Sequence, residues 1–152
     1  MIHQHLTLEK FDNWGVDIYY GVTHWEIDEI MVRLHEIGCD AMTARKAYDN
    51  MTSNNLNTGL TYSNFRKGES VMVIGVSENR EQFANTLTHE QLHLVAHISK
   101  VYYIDMYGEE ICYLIGDIAQ RMYHISKDFL CECCSKELKY RYEKEIKQDK
   151  YY

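Results

Sequence analysis

Residues 88 to 97 read THEQLHLVAH and contain the spacing of a metal-binding helix. His89 and His93 are four residues apart, so on a helix their imidazoles lie on one face and can bind the same ion. Glu90 lies beside them, where a carboxylate can take a proton from a water molecule without binding the metal itself. The stretch therefore predicts a zinc site with His89 and His93 as ligands and Glu90 as general base.

His97 continues this row of histidines, but the spacing does not make it a ligand of the same ion. It lies eight residues from His89, which is about 12 Å along a helix that rises about 1.5 Å per residue. Zinc–nitrogen bonds of about 2 Å cannot bridge that separation. We expect His97 to be a buried or half-buried polar residue.

The third protein ligand decides the class of a catalytic zinc site, which has three such ligands and one open position for water. The long metzincin pattern needs Gly at position 96 and His at position 99, where this chain has Ala96 and Ser99. Cys39 would suit a peptide deformylase, but the other signatures of that class are absent. Glu109 and Glu110 in YGEEICYLIG remain, provided that the next helix folds back antiparallel.

The combination of HEQLHLVAHI with EEICYLIGDI resembles the gluzincin arrangement, in which HExxH is followed by a glutamate on a later helix. More narrowly, positions 57 to 118 resemble small metallopeptidase-like proteins of Bacteroidales genomes and of their phages or mobile elements. The resemblance implies a minimal zincin-like domain that hydrolyses peptide bonds with a zinc-activated water. It also implies Glu109 as third ligand, with Glu110 as the neighbouring alternative, and Tyr113 as the residue that orients the glutamate.

A second class of function stays open beside the peptidase. The same fold could hold zinc without catalysing a reaction and act as an interaction or regulatory protein. Glu90 favours the enzyme, because a purely structural zinc site has no need of a general base. The expected partner of the enzyme is a peptide or protein substrate.

The sequence patterns of the segments around these residues predict an α+β fold. WGVDIYYGV has the composition of a strand, and the segment from Asn54 to Ser77 is typical of two strands joined by a polar turn around 66–69. Helical spacing predicts four helices, within 23–39, 40–51, 78–103 and 108–126. We expect a small antiparallel sheet, with SVMVIGV as the cleft edge that binds an extended peptide, and an HExxH helix followed by an antiparallel helix.

Length and composition place these elements in one domain. The chain has 152 residues, 45% of them hydrophobic, and we expect a single domain over 1–138 followed by a charged tail over 139–152. A net charge of −7 argues against binding to nucleic acid or to an anionic membrane. The sequence lacks a long apolar segment and the pattern of a secretory signal, which predicts a cytoplasmic protein.

Five cysteines, an odd number, fit a reducing compartment better than a disulfide framework. Cys39 and Cys112 lie in apolar contexts and are expected to be packing residues. The three cysteines of CECC, at positions 131, 133 and 134, are also expected to be packing residues. The alternative is a second, structural zinc site, with Cys39 or His124 as fourth ligand.

Overall fold

The computed structural model describes residues 1–130, which form a four-stranded sheet and four helices. The strands are β1 (Ile2–Leu8), β2 (Trp14–Val22), β3 (Gly59–Asn64) and β4 (Glu69–Gly75). The helices are α1 (Ile27–Glu36), α2 (Ala41–Thr52), α3 (Arg80–Tyr102) and α4 (Glu109–Leu130), with short 3₁₀ turns at Glu9–Phe11 and His24–Glu26. The predicted α+β class is confirmed, and the predicted tail over 139–152 lies outside the described residues.

The sheet has the order β1-β2-β4-β3 and is mixed. β1 pairs with β2 and β3 with β4 in antiparallel fashion, whereas β2 and β4 are parallel. The expected antiparallel sheet is therefore wrong for this central pair. The reason is that α1 and α2 form a crossover after β2, and β4 then returns between β2 and β3 in the direction of β2.

Helices cover the two faces of the sheet, each over its own apolar core. α3 and α4 pack on the larger core, which includes Val16, Ile18, Met72 and Ile74. α1 and α2 pack on the smaller one, in which strand residues such as Tyr19 and Val73 contact helix residues such as Ile30 and Leu34. Because both faces are covered, β2 is buried along nearly its whole length.

Local polar residues fix where the helices begin. The side chain of Asp40 accepts a hydrogen bond from the backbone N–H of Thr43 at 2.8 Å, which caps α2. Asn79 caps α3 in the same way, through the N–H of Gln82 at 2.9 Å. Within residues 1–130, none of the helices is both long and apolar enough to span a membrane.

Two contacts set the register of α3 against α4 and confirm that the helices are antiparallel. The rings of Phe83 and Phe129 stack with centroids 4.7 Å apart. Eight residues further along α3, the Nε2 of Gln91 donates to the Sδ of Met122 at 3.4 Å. The beginning of α3 therefore lies beside the end of α4, and the beginning of α4 lies beside the end of α3.

Candidate functional site

α3 carries the HExxH stretch with its apolar side against the core and its histidines outside. Leu87, Leu94 and Ile98 are buried. His89 and His93 are exposed, since they lie on the opposite side of the helix from these residues. The helix thus presents both imidazoles to solvent on a rigid, well-packed support.

The imidazoles of His89 and His93 converge as the four-residue spacing predicts. Their Nε2 atoms are 3.0 Å apart, and the ring planes are inclined by 72° with centroids 4.7 Å apart. Two nitrogens bound to one zinc ion at about 2.0–2.1 Å, with an angle near 90–110°, would be separated by about 2.8–3.4 Å. The two donor atoms therefore have a separation that suits a shared ion.

Glu90 follows His89 in the sequence, but its side chain packs between α3 and β3. Its side chain is 4% exposed, and its Oε2 accepts a hydrogen bond from the Oγ1 of Thr61 at 2.7 Å. Gly59, two residues earlier on the same face of β3, leaves the space that the carboxylate occupies. A Cβ at position 59 would stand 2.5 Å from Oε1. Thr61 and Gly59 together hold the carboxylate of Glu90 between α3 and β3.

His97 is half-buried, as predicted, and ends a chain of hydrogen bonds that starts in the core. Trp14 Nε1 donates to Ser70 Oγ at 2.8 Å, Ser70 and Ser63 share a bond of 2.7 Å, and Ser63 Oγ lies 2.8 Å from His97 Nδ1. The indole N–H only donates, so Ser70 accepts from Trp14; its one O–H can then be donated to Ser63, and that of Ser63 to His97. With the chain in this direction, His97 Nδ1 is an acceptor and the neutral ring carries its proton on Nε2.

The surroundings of His97 agree with a neutral ring. Burial lowers the pKa of His97, and the charges of His93 and Lys100 lower it further. Its ring lies 6.2 Å from that of His93 and edge-on to Phe65 at 5.4 Å. A neutral His97 therefore adjoins the exposed histidine pair without adding a positive charge to it.

Glu109 is not brought next to His89 and His93. It precedes Met122 by thirteen residues, so it lies roughly 20 Å along α4 from the level of Gln91 at about 1.5 Å per residue. The histidines also face away from α4, since His93 is two residues, or about 200°, round the helix from Gln91. The role of Glu109 as a ligand stays a prediction.

Glu110 and Tyr113 lie near Glu109 on the outside of α4. Glu110 pairs with Lys10 across a distance of 3.2 Å, and Tyr113 is 74% exposed. Both line a shallow surface pocket that Arg121 also borders. This places Tyr113, like Glu109, away from the exposed histidines.

Within residues 1–130, no three side chains of His, Cys, Asp or Glu are grouped so that they could hold a metal ion. His89 and His93 are thus a pair in the described part of the chain. Cys39 is half-buried against the smaller core, as predicted, whereas Cys112 is exposed, contrary to the prediction. The CECC cysteines lie outside the described residues.

A second polar cluster, on the opposite face of the sheet from α3, was missed. Asp17 on β2 is 5% exposed, and its Oδ1 accepts bonds from His3 Nε2 at 2.9 Å and His5 Nδ1 at 3.0 Å. Arg33 Nε donates to its Oδ2 at 2.7 Å. Burial alone would raise the pKa of Asp17, but the bonds from His5, Arg33 and His3 hold it below its usual value. The signal was the alternation in IHQHLTL, which puts both histidines on one face of a strand.

Comparisons with protein-family models, curated proteins and solved structures find no match for this chain.

Proposed function

We propose that this chain is a zinc-dependent hydrolase that cleaves peptide bonds. The observation that carries the proposal is the 3.0 Å separation of the Nε2 atoms of His89 and His93, on the helix that also carries Glu90. The donor set is also suitable, because imidazole nitrogens are preferred zinc ligands. His89 and His93 would hold the ion, and the third protein ligand is left unassigned.

Glu90 is proposed as the group that moves the proton. A zinc ion supplies a Lewis acid and makes water a better nucleophile near neutral pH. Glu90 would accept the proton of the attacking water and pass it to the leaving amine. Thr61 holds Oε2 by its hydrogen bond at 2.7 Å. That bond limits the rotation of the carboxylate, whose Oε1 lies against Gly59.

Within residues 1–130, β3 is an edge strand that pairs only with β4, which supports an extended peptide as the substrate. β4 was expected to be the edge, but it lies between β2 and β3, and β3 is the outer strand next to α3. A peptide that pairs with an outer strand gains main-chain hydrogen bonds whatever its sequence. Such a peptide would pass beside the helix that carries His89, Glu90 and His93.

A noncatalytic zinc protein is the second candidate, and one observation favours it. The described residues bring no third ligand to the histidine pair, and Glu90 is already bonded to Thr61. A pair of histidines on an exposed helix face could hold a zinc ion together with a ligand from a partner. The two candidates differ in what Glu90 does.

The test combines metal analysis with digestion of a peptide library. Purified protein is expected to contain about one zinc per chain, and His89→Ala and His93→Ala are each expected to lose it. His35→Ala is the matched control, because His35 is an exposed helical histidine outside the site. Full zinc content in both site variants would disprove the metal site.

Glu90→Gln separates the two candidates. It removes the base but keeps the size of the side chain, so zinc and fold are expected to be retained while cleavage falls by about 10²–10⁴. Mass spectrometry of the digested library measures the cleavage. Zinc-loaded wild-type protein that cleaves no peptide would favour the noncatalytic candidate.

A further inference from the structure

A pocket of about 190 Å³ lies between α2, the segment that follows it and the start of β3. Met51, Leu60 and Val73 in its wall belong to the smaller core, so the pocket is on the face of the sheet opposite α3. Leu56 also lines it and is 51% exposed, so the pocket reaches the surface there. The described residues that line it include no Asp, Glu, Lys, Arg or His.

Gly59 connects this pocket with the candidate site. It lines the pocket on one side of β3, and on the other side its missing side chain leaves room for the carboxylate of Glu90. Only the backbone of β3 therefore separates the pocket from the proposed base.

The pocket is also level with the histidine pair along β3. α3 runs beside this strand, with Thr86 bonded to the carbonyl of Asn57, Glu90 to Thr61 and His97 to Ser63. His89 and His93 lie between the first and last of these contacts. The residues of the β3 segment that lie at the level of the histidine pair include positions 58 to 60, which line the pocket.

We infer that the pocket binds one uncharged apolar side chain, such as that of Val, Leu or Met, from a peptide laid along β3. This inference rests on the proposed function for the identity of the substrate. Successive side chains of an extended chain point to opposite faces. When one residue faces the histidines, the next one points to the face that holds the pocket. The pocket would then select the residue next to the one at the metal.

The size and lining of the pocket support one side chain rather than a separate ligand. Sites for small molecules usually have about 300–1,000 Å³, which is more than this pocket offers. A charged side chain would lose its hydration here without gaining an opposite charge, so it would be disfavoured. The threonine and asparagine side chains that line the pocket are uncharged.

The test measures binding without cleavage. Glu90→Gln protein is titrated with three capped pentapeptides of threonine whose central residue is Leu, Asp or Lys, and amide NMR shifts are followed. The Leu peptide is expected to bind at least about 10-fold more tightly than either charged peptide, with the largest shifts at Leu56, Gly59 and Gly75. Using both charges excludes a simple effect of the net charge of −7.

A pair of variants completes the test. Leu56→Asp in the same background puts a charge in the pocket and is expected to abolish the preference for Leu. Val32→Asp, at a 58% exposed position on α1 that does not line the pocket, is expected to keep it. Equal affinities for the three peptides, shifts away from the pocket, or an unaffected Leu56→Asp variant would each overturn the inference. Binding with these properties but no cleavage by wild-type protein would reject the hydrolase and retain the pocket.

Discussion

The carboxylate of Glu90 and the backbone of Gly59 are in contact where α3 packs on β3. A Cβ added at Gly59 would stand 2.5 Å from Oε1 and 2.8 Å from Cγ of Glu90. No larger residue fits at position 59 unless Glu90 moves. The orientation of the proposed base therefore depends on a glycine that is 31 positions earlier in the sequence.

Gly59→Ala is expected to displace Glu90 and reduce cleavage by about tenfold or more, because the base loses its alignment with the histidines. Zinc content should stay near the wild-type value, since the atoms nearest to a Cβ at position 59 belong to Glu90 and both His89 and His93 are exposed. Kinetics and metal analysis on the same preparation measure the two effects.

Gly116→Ala is the control for this substitution. A Cβ at position 116 would meet nothing within 4 Å, and the residue lies inside α4. Alanine there is expected to stabilise the protein by about 0.5–1 kcal/mol through helix propensity, with cleavage unchanged. Equal cleavage by Gly59→Ala and Gly116→Ala would contradict the role assigned to the contact between Gly59 and Glu90.

Glu109→Ala tests whether Glu109 is the third zinc ligand, as the resemblance implies, or lies away from the zinc site, as the position of α4 indicates. The register set by Gln91 and Met122 puts Glu109 far from the histidine pair, so this variant is expected to keep its zinc. Glu110→Ala, which removes the pair with Lys10, is the neighbouring control. Metal analysis that shows zinc loss in Glu109→Ala but not in Glu110→Ala would restore Glu109 as the third ligand.

The sequence predicted most of the local elements because each had its own periodicity or cap. The strand read from WGVDIYYGV has the bounds Trp14–Val22 in the structure. Four helices and the hairpin of β3 and β4 also match their predicted segments. The convergence of His89 and His93 followed from helix geometry alone. These features depend on residues a few positions apart.

Features that depend on the packing of distant segments could not be predicted from local periodicity or helix caps. The parallel pairing of β2 with β4 depends on the face of the sheet on which the crossover helices α1 and α2 pack. No local sequence pattern predicts that face. The neighbours of Glu90 on β3 depend on the packing of α3 against that strand. β1 was missed for a different reason, because its alternation was present in IHQHLTL but short and rich in histidine.

The hydrogen-bond chain from Trp14 predicts the tautomer of His97. In wild-type protein, nitrogen-15 NMR is expected to show Nε2 protonated and Nδ1 unprotonated, the result of a chain in which Ser70 donates to Ser63 and Ser63 donates to Nδ1. Ser63→Ala removes that donor and should produce a mixture of the two tautomers. Ser53→Ala is the control, since Ser53 is exposed at the end of α2. A wild-type His97 with its proton on Nδ1 would contradict the proposed direction of the chain.

Asp17 predicts how stability depends on pH in the acid range. Its lowered pKa means that the folded state favours the carboxylate, mainly through the bonds from His5 and Arg33. The stabilisation is complete above the unfolded pKa of about 4 and is lost as the pH falls through the lower folded value. Asp17→Asn is expected to cost about 2–3 kcal/mol in the free energy of unfolding at pH 7.

Urea unfolding of wild-type protein and Asp17→Asn at pH 7 and at pH 3 measures this contribution. The difference between the two proteins should be smaller at pH 3, because below a pKa of about 4 the unfolded wild-type protein binds a proton at Asp17 that the folded protein binds less readily. Asp49→Asn is the control: Asp49 is exposed on α2 and 3.9 Å from Arg45, so its loss should cost less than about 0.5 kcal/mol at either pH. A difference that stays constant between pH 7 and pH 3 would show that Asp17 acts by packing rather than by its charge.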